Sequence, residues 1–374
     1  MDKHLHIICL NVPYPVDYGG VFDLYYKLPA LQNIGVKIHL HCFEYGRGEQ
    51  PILNQFCESV QYYPRKTFLT SLSFTYPYIV SSRDSKELID CLLNDDYPIL
   101  MEGVHCTFLL NDIRFDNRNC FVRLHNVEHI YYRFLYQYTP SFFKKIYYKW
   151  ESSLLEKYEK SIADKATFIS VSENDSCIYK KMGAQHVFYL PLFLPDWKIT
   201  SKEGRGCFCL YHGDLSIPEN EKAVVWLMKE VFSKINTPFV AAGKNPSPAL
   251  RHLIHSHTTT CLIENPSESE MKDLIAKSHI NIIPSYNETG IKIKLLNALY
   301  NGRHCLVNNA TIQGTDLVDC CQLAETAEDF IEAIQYIYEQ PFTNEQIEIR
   351  QQLLASTFNN HANASQLIDW IWEK

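Results

Sequence analysis

The stretch HIICLNVPYPVDYGGVFDLYYKLPALQNIGVKIHLHCF, residues 6–43, decides the fold class. His6–Val12 is a short apolar run and reads as a strand, Val21–Leu31 as a helix that ends near Gly35, and Val36–Phe43 as a second strand. The same alternation continues along the chain. Further strands are expected at Pro98–Gly103, Cys120–His125, Thr167–Ser172 and His186–Leu190. In the second half they are expected at Cys207–His212, Thr237–Ala242, Thr260–Ile263, His279–Pro284, His304–Asn308 and Cys320–Ala324. Short apolar runs separated by longer helix-period segments are the pattern of a parallel sheet covered by helices.

Two such series meet at Leu190-Pro-Leu-Phe-Leu-Pro-Asp196, followed by the polar run Lys198–Arg205, which has the composition of a linker. The fold class is therefore α/β, with two Rossmann-like, doubly wound parallel-sheet domains, 1–195 and 203–358, facing each other across a cleft. A length of 374 residues suits two domains. In open parallel sheets ligands sit beyond the carboxyl ends of the strands, so the informative residues are those just after each strand.

Composition removes several alternatives. Lys and Arg number 35 against 43 Asp and Glu, a formal charge of −8, which disfavours a general nucleic-acid binder. A hydrophobic fraction of 46% excludes a disordered chain. Thirteen cysteines, odd in number, without a CxxC pair and mostly in apolar runs, read as buried free thiols in a reducing compartment. The first apolar run ends at Pro13 and is too brief for a signal peptide, and no run approaches the ~18 residues of a spanning helix. A cytoplasmic location is expected. The segment Tyr131–Lys165 is rich in aromatics and lysine, with Tyr147, Trp150, Leu154, Tyr158 and Ile162 at helical spacing. It reads as a long packed helix. The sharper alternative is peripheral membrane contact, with Phe142, Phe143, Lys144 and Lys145 against anionic headgroups.

Four patches carry chemistry. Pro13-Tyr-Pro-Val-Asp17-Tyr-Gly19-Gly20 follows a strand and opens a helix, where small residues and free N–H groups suit a phosphate or a sugar hydroxyl. It is neither GxGxxG nor a P-loop, which disfavours dinucleotide binding and ATP hydrolysis. Arg123-Leu-His125-Asn-Val-Glu128 bunches three functional side chains at a strand end; the His can act as donor or base, and the Glu can hold the Arg. Tyr211-His-Gly213-Asp214 places another Gly loop after a strand, with Glu221–Val231 following as a helix, and Gly243-Lys244 offers a second close approach with a positive charge. The most informative is Ile283-Pro-Ser-Tyr-Asn-Glu288-Thr-Gly290-Ile291-Lys292-Ile-Lys294-Leu-Leu-Asn297. A strand ends, then come an acid, a glycine and a helix start with two lysines. That arrangement stabilises phosphate anions, with the carboxylate facing a sugar. A helix cap followed by a solvated Lys face is the plain alternative. No DxD-type metal pair is present; Asp95-Asp96 is adjacent and reads as loop.

Taken together, "PYPVDYGG", "RLHNVEH", "SVSENDS", "HGDLSIPEN" and "GIKIKLLNAL", with "IQGTDL" after it, resemble glycosyltransferases of the GT-B fold, family 4 type, over residues 13 to about 317. The resemblance implies a retaining, metal-independent transfer of a sugar from a nucleotide-sugar donor to a glycan or lipid-linked acceptor in surface polysaccharide assembly, without a cofactor. By carry-over, His125 and Glu288 are the catalytic pair. Gly19, Gly20, Gly213, Asp214, Lys244, Glu264, Gly290, Ile291, Lys292, Lys294 and Asn297 lie on the donor side, with Glu264 and Asn265 bordering the base. Asp17, Arg123 and Glu128 lie on the acceptor side, and residues 359–374 form a helix crossing back to the first domain. One departure stands out: Asn297 occupies a position where the family usually has glutamate for the ribose, and the loop bearing Glu288 is shorter. Asn297 also motivates a second reading, a catalytically degenerate protein that binds a sugar or a partner. A sugar-nucleotide epimerase is a third.

Overall fold

Parallel pairing organises both halves of the chain. The computed structural model describes residues 2–17, 19–139 and 141–372, and it divides into one unit of Met1–Pro195 with Thr357–Lys374 and a second of Asp196–Ser356. In the first, β1 (Lys3–Cys9), β2 (Val36–Glu44), β3 (Ser59–Pro64), β4 (Ile99–Glu102), β5 (Cys120–Leu124), β6 (Thr167–Ser170) and β7 (Val187–Tyr189) form a 7-stranded sheet in the order β3-β2-β1-β4-β5-β6-β7. In the second, β8 (Cys209–Asp214), β9 (Phe239–Lys244), β10 (Thr260–Glu264), β11 (Ile280–Ile283), β12 (His304–Val307) and β13 (Gln322–Leu323) form a 6-stranded sheet in the order β10-β9-β8-β11-β12-β13. Every ladder in both is parallel. The order reverses between β1 and β4, and again between β8 and β11. Such switch points open a crevice past the carboxyl ends of the strands, where α/β sheets hold ligands.

The central strands are apolar on both faces because helices cover both sides. Ile7, Ile8, Leu100, Met101 and Val122 are all buried. The helix Gly19–Asn33 turns Leu24, Leu28 and Leu31 inward at the i, i+4, i+7 spacing of one face. The last helix, Asn360–Trp372, packs on it, burying Leu367, Ile368 and Ile371, and Trp370 stacks on Phe188 at 4.6 Å. Asn360 Oδ1 accepts from the Leu194 N–H at 3.0 Å, fastening that helix to the end of the segment 190–195.

Some local expectations change. β3 is an edge strand, half-exposed and polar enough (Ser-Val-Gln-Tyr-Tyr-Pro) to give no apolar run. The expected helix Glu221–Val231 starts earlier, at Pro218, whose fixed φ suits a first turn, and runs on from Trp226 as a wide π turn, Leu227–Phe232. The aromatic segment is two helices, Glu128–Tyr138 and Phe142–Ile162. Thr139, which precedes a proline, is extended (ψ 133°), and Ser141 Oγ caps the second helix. All thirteen thiols are free. Among the described residues no helix is long and apolar enough to cross a membrane.

Candidate active site

At the switch point of the first sheet the chain buries a closed circuit of charge. Asp23 and Lys27 lie one turn apart on the inner face of the helix Gly19–Asn33, and their side chains are fully buried, 3.0 Å apart. Lys27 Nζ also donates to Glu102 Oε1, the last residue of β4, at 2.5 Å. Arg123 on β5 forks onto both Asp23 oxygens at 2.9 and 3.0 Å, and its remaining N–H groups donate to the carbonyls of Ser170, Leu190 and Pro191. The Phe193 N–H adds a further bond to Asp23 at 2.8 Å. Burial opposes ionisation of Asp23, but Arg123 and Lys27 outweigh it and hold the carboxyl well below its ordinary range. Burial likewise opposes Glu102, and Lys27 and His125 prevail.

His125, just past β5, is the member of this circuit that reaches the surface; its side chain is 11% exposed against 0% for the other four. Its Nε2 lies 3.0 Å from Glu102 Oε2. An ionised carboxylate only accepts, so Nε2 carries a proton toward Glu102. Asp23, Glu102 and His125 present three ligand atoms within 4.8 Å of one another, a spacing a metal could use. The Lys27 ammonium already bridges the two carboxylates and Arg123 neutralises the rest, so the chain supplies its own cations there.

Arg123 was expected to touch an acceptor, and the structure corrects this. Its guanidinium is wholly buried and every N–H group has a protein partner. Glu128 does not hold Arg123 either; Asp23 does. Glu128 starts the next helix, where Glu159 accepts from the N–H groups of Glu128 and His129 at 3.0 Å. Burial, then Glu159 and Asp175, push the Glu128 carboxyl up to about 8. Asp17 is exposed and accepts from Arg47 at 2.7 Å. Gly19 and Gly20 open the helix, Gly19 exposed and Gly20 half-buried.

The second unit gathers glycines and positive charge at its own switch point. β8 ends in Gly213 and Asp214, and β9 in Gly243 and Lys244. The two strand ends approach so closely that a Cβ on Gly243 would lie 1.8 Å from the Gly213 carbonyl oxygen, so only glycine fits. Asp214 Oδ1 is taken by the N–H and hydroxyl of Ser216, and Lys244 is exposed. After β11 the loop folds on itself: Asn287 Oδ1 accepts from Thr289 N–H and Oγ1 at 3.1 and 3.0 Å, and Gly290 adopts φ 65°. The helix Ile293–Asn301 then begins at Lys292 with no side chain capping its N-terminus. The Leu295 N–H closes on the Lys292 carbonyl at 2.9 Å, so the N–H groups of Ile293 and Lys294 and the partial positive charge are what this helix start offers a ligand.

Lys294 sits in that first turn, half-buried. Its ammonium donates to Tyr211 Oη at 3.2 Å and Asn220 Oδ1 at 3.0 Å, and lies over the Tyr211 ring at 4.9 Å. Among the described residues no carboxylate comes within 4.0 Å of it. Burial, reinforced by Lys292, lowers its pKa to about 8 against the attraction of Glu219. Lys292 Nζ donates to the Thr289 carbonyl at 2.8 Å. Ile291 is half-buried and Glu288 exposed in the same loop.

Two expected donor contacts are otherwise engaged. Glu264 is gripped by Arg251, Nε at 2.9 Å from both oxygens. Asn297 Oδ1 accepts from Asn301 Nδ2 at 2.8 Å, and Asn301 Oδ1 accepts from Thr200, so the Asn297 amide is already held. Sequence reasoning passed over Glu219, which accepts from Ser285 Oγ at 2.9 Å and so ties the loop to the helix Pro218–Trp226. It also passed over His212, whose buried Nε2 has no partner and whose pKa burial and then Lys294 lower to about 3. In the first unit it missed Asp23, Lys27 and Glu102. Their signal was available: a polar pair four apart on an apolar helix face, and an acid ending an apolar strand.

Residues 207–340, the span that contains this pocket, match the family described as Glycosyl transferases group 1. The chain carries a group 1 glycosyltransferase domain. Over 332 residues the chain is 28% identical to an uncharacterised 44.6 kDa protein of the cps region of Klebsiella pneumoniae, covering 83% of this chain and 84% of that one. Among solved structures it is similar to WaaG, a glycosyltransferase involved in lipopolysaccharide biosynthesis, with a TM-score of 0.64 at 13% identity, over 99% of this chain and 100% of that one. It is also similar to HepE of Anabaena, solved in complex with UDP and glucose, with a TM-score of 0.63 at 10% identity, over 99% of each. At such identities the likeness is one of fold. With two parallel α/β sheets in one chain, that fold is GT-B.

Proposed function

We propose that this glycosyltransferase moves a sugar, with retention and without a metal, from a nucleotide-sugar donor to a glycan or lipid-linked acceptor in surface polysaccharide assembly. The observation that carries the proposal is Lys294: a half-buried ammonium with no carboxylate within 4.0 Å, in the first turn of an uncapped helix reached through Gly290. An anion of two phosphates satisfies both features at once. The UDP in the HepE structure, the lipopolysaccharide role of WaaG and the cps region of the Klebsiella relative all support the same chemistry.

In this proposal residues 203–358 hold the donor, 1–195 hold the acceptor, and 359–374 serve the first domain. As the glycosidic C–O bond loosens, negative charge develops on the departing diphosphate. Lys294, Lys292 and the free N–H groups at the helix start stabilise that charge in place of a divalent ion. His125, with its Nε2–H held by Glu102, presents a ring oriented by a buried acid toward the transferred sugar. Glu288, exposed in the loop before Gly290, turns to a sugar hydroxyl on donor binding. A cytoplasmic enzyme touching the inner face of a membrane through Phe142, Phe143, Lys144 and Lys145 completes the picture. Phe142 and Phe143 are exposed on the first turn of their helix.

Asn297 favours the second reading, a protein that binds a nucleotide sugar without turnover, since its amide is tied to Asn301. Donor hydrolysis and transfer assays with a panel of nucleotide sugars, in the presence of chelator, separate the two. Turnover is expected, and His125→Ala lowers it about 10²–10⁴-fold while donor binding persists. Binding without turnover on any donor would leave the second reading.

A further inference from the structure

Strands β3, β2, β1, β4 and β5 lie side by side, and the residues immediately past their carboxyl ends are Arg65, Tyr45, Leu10, Gly103 and His125. A second arginine joins this row. Arg83, 3% exposed, donates to the carbonyls of Leu10 and Ile79 at 2.9 and 2.7 Å, neutral partners that fix its position without cancelling its charge. Arg65 is half-buried. Arg65 Nε and Arg83 Nη1 both donate to Ser82 Oγ, at 3.2 and 3.5 Å, and both guanidinium groups lie over the Tyr45 ring, at 4.5 and 5.6 Å. Among the described residues Arg83 Nη2 and both Nη atoms of Arg65 have no hydrogen-bond partner. Neither arginine has a carboxylate within 4.0 Å there. The acids beside them are engaged: Asp84 by Lys66 at 2.8 Å, and Glu44 by the N–H groups of Gly46, Arg47 and Gly48. Glu151 and Glu128 feel the pair electrostatically, but burial raises both carboxyls. Two like charges around one hydroxyl repel each other, and the arrangement is costly until an anion joins it.

The row leads from this pair to His125. A Cβ placed on Gly103 would lie 3.6 Å from Leu10 Cδ2 and 3.0 Å from His105 Nδ1, so the His105 ring folds over the end of β4 beside the residue that anchors Arg83. The residue before Gly103 is Glu102, which holds His125. His105 Nδ1 is buried and has no partner. Burial, then Arg83, Arg65 and His125, keep this imidazole well below its ordinary pKa, a neutral ring able to give or take a hydrogen bond. Leu10 and His125 follow strands separated by β4 alone, two strand spacings or about 10 Å, roughly the span of a disaccharide. The seat is made of planar guanidinium forks, where the second unit offers a lysine and a helix start. A planar carboxylate matches such a fork in two parallel bonds.

We propose that the acceptor is an acidic glycan: a sugar carboxylate seats on the fork of Arg65, with Arg83 behind it and His105 beside it, while the hydroxyl to be glycosylated lies toward His125. This rests on the reading that residues 1–195 hold the acceptor, and on the first unit alone for the binding.

The test is calorimetric titration of the full chain with digalacturonate, beside its uncharged dimethyl ester and inorganic phosphate. Digalacturonate is expected to bind at least about tenfold tighter than the ester, as loss of one charge-assisted contact predicts. Arg65→Gln abolishes that advantage with an unchanged unfolding curve. Lys37→Gln, which removes an exposed cation at the opposite end of β2, preserves it. Equal or absent binding of digalacturonate, persistence of its advantage in Arg65→Gln, or its loss in Lys37→Gln overturns the proposal. Inorganic phosphate binding as tightly as digalacturonate overturns the sugar-acid assignment and leaves a bare anion site. A nucleoside diphosphate titrated into the same preparations reports on the donor reading separately, so that failure of one is not failure of the other.

Discussion

The two switch points of this molecule handle buried charge in opposite ways. In the first unit Asp23, Lys27, Glu102 and Arg123 neutralise one another, and only His125 reaches solvent. In the second, Lys294 faces a phenol and an amide, with no carboxylate within 4.0 Å among the described residues. A circuit that closes on itself needs nothing from outside, so its charges serve folding and orient one histidine. A pocket left with unbalanced positive charge is completed by a ligand. The difference teaches that counting basic residues near a strand end is not enough; whether each has an internal counter-charge decides whether it can bind.

Breaking the closed circuit has the largest expected effect. Lys27→Ala leaves Asp23 and Glu102 buried with too little positive charge, and should cost about 3–5 kcal/mol in urea unfolding. Lys294→Met should change stability by less than about 1 kcal/mol, because no carboxylate is stranded and Asn220 Oδ1 keeps its bond from the Tyr211 hydroxyl. It should instead weaken nucleoside diphosphate binding about 10- to 100-fold, the contribution of a charge-assisted contact.

The pH dependence sharpens the same contrast. Burial lowers Lys294 to about 8, so the pocket is charged below that value and loses its proton above it. Nucleotide affinity is therefore expected to be level at neutral pH and to fall above about 8, approaching tenfold per pH unit, in calorimetry across pH 6.5–9.5. The first unit responds at the other end of the scale. Asp23 has a depressed pKa, so its contribution is present above the ordinary carboxylate range and is lost as pH falls toward its folded value. The smallest effect is expected at Asn297. Asn297→Glu, which restores the family's usual residue, should alter affinity for a nucleoside diphosphate by less than about tenfold and leave pyrophosphate binding unchanged. An equal change for pyrophosphate would show that position 297 acts on the phosphates rather than the ribose.

Much of the fold was legible because burial on both faces forces apolar runs at β1, β4 and β5 and at β8, β11 and β12. β3 was not, because an edge strand half in water carries Ser, Gln and Tyr without a pattern. The site was legible where its chemistry is local: Gly290, Lys292 and Lys294 lie within one turn of a helix start. Arg123 misled because its partner, Asp23, is 100 residues earlier and meets it only once β1 and β5 flank β4.

The most direct measurement is calorimetric titration of a nucleoside diphosphate into the wild-type chain and Lys294→Met at pH 7, with matched unfolding curves. Binding by the wild type that weakens at least about tenfold in the variant, at unchanged stability, is the expected result. Identical affinities, or a variant that simply unfolds, would mean that this lysine is held for the protein's own structure and that the pocket does not exist to receive an anion.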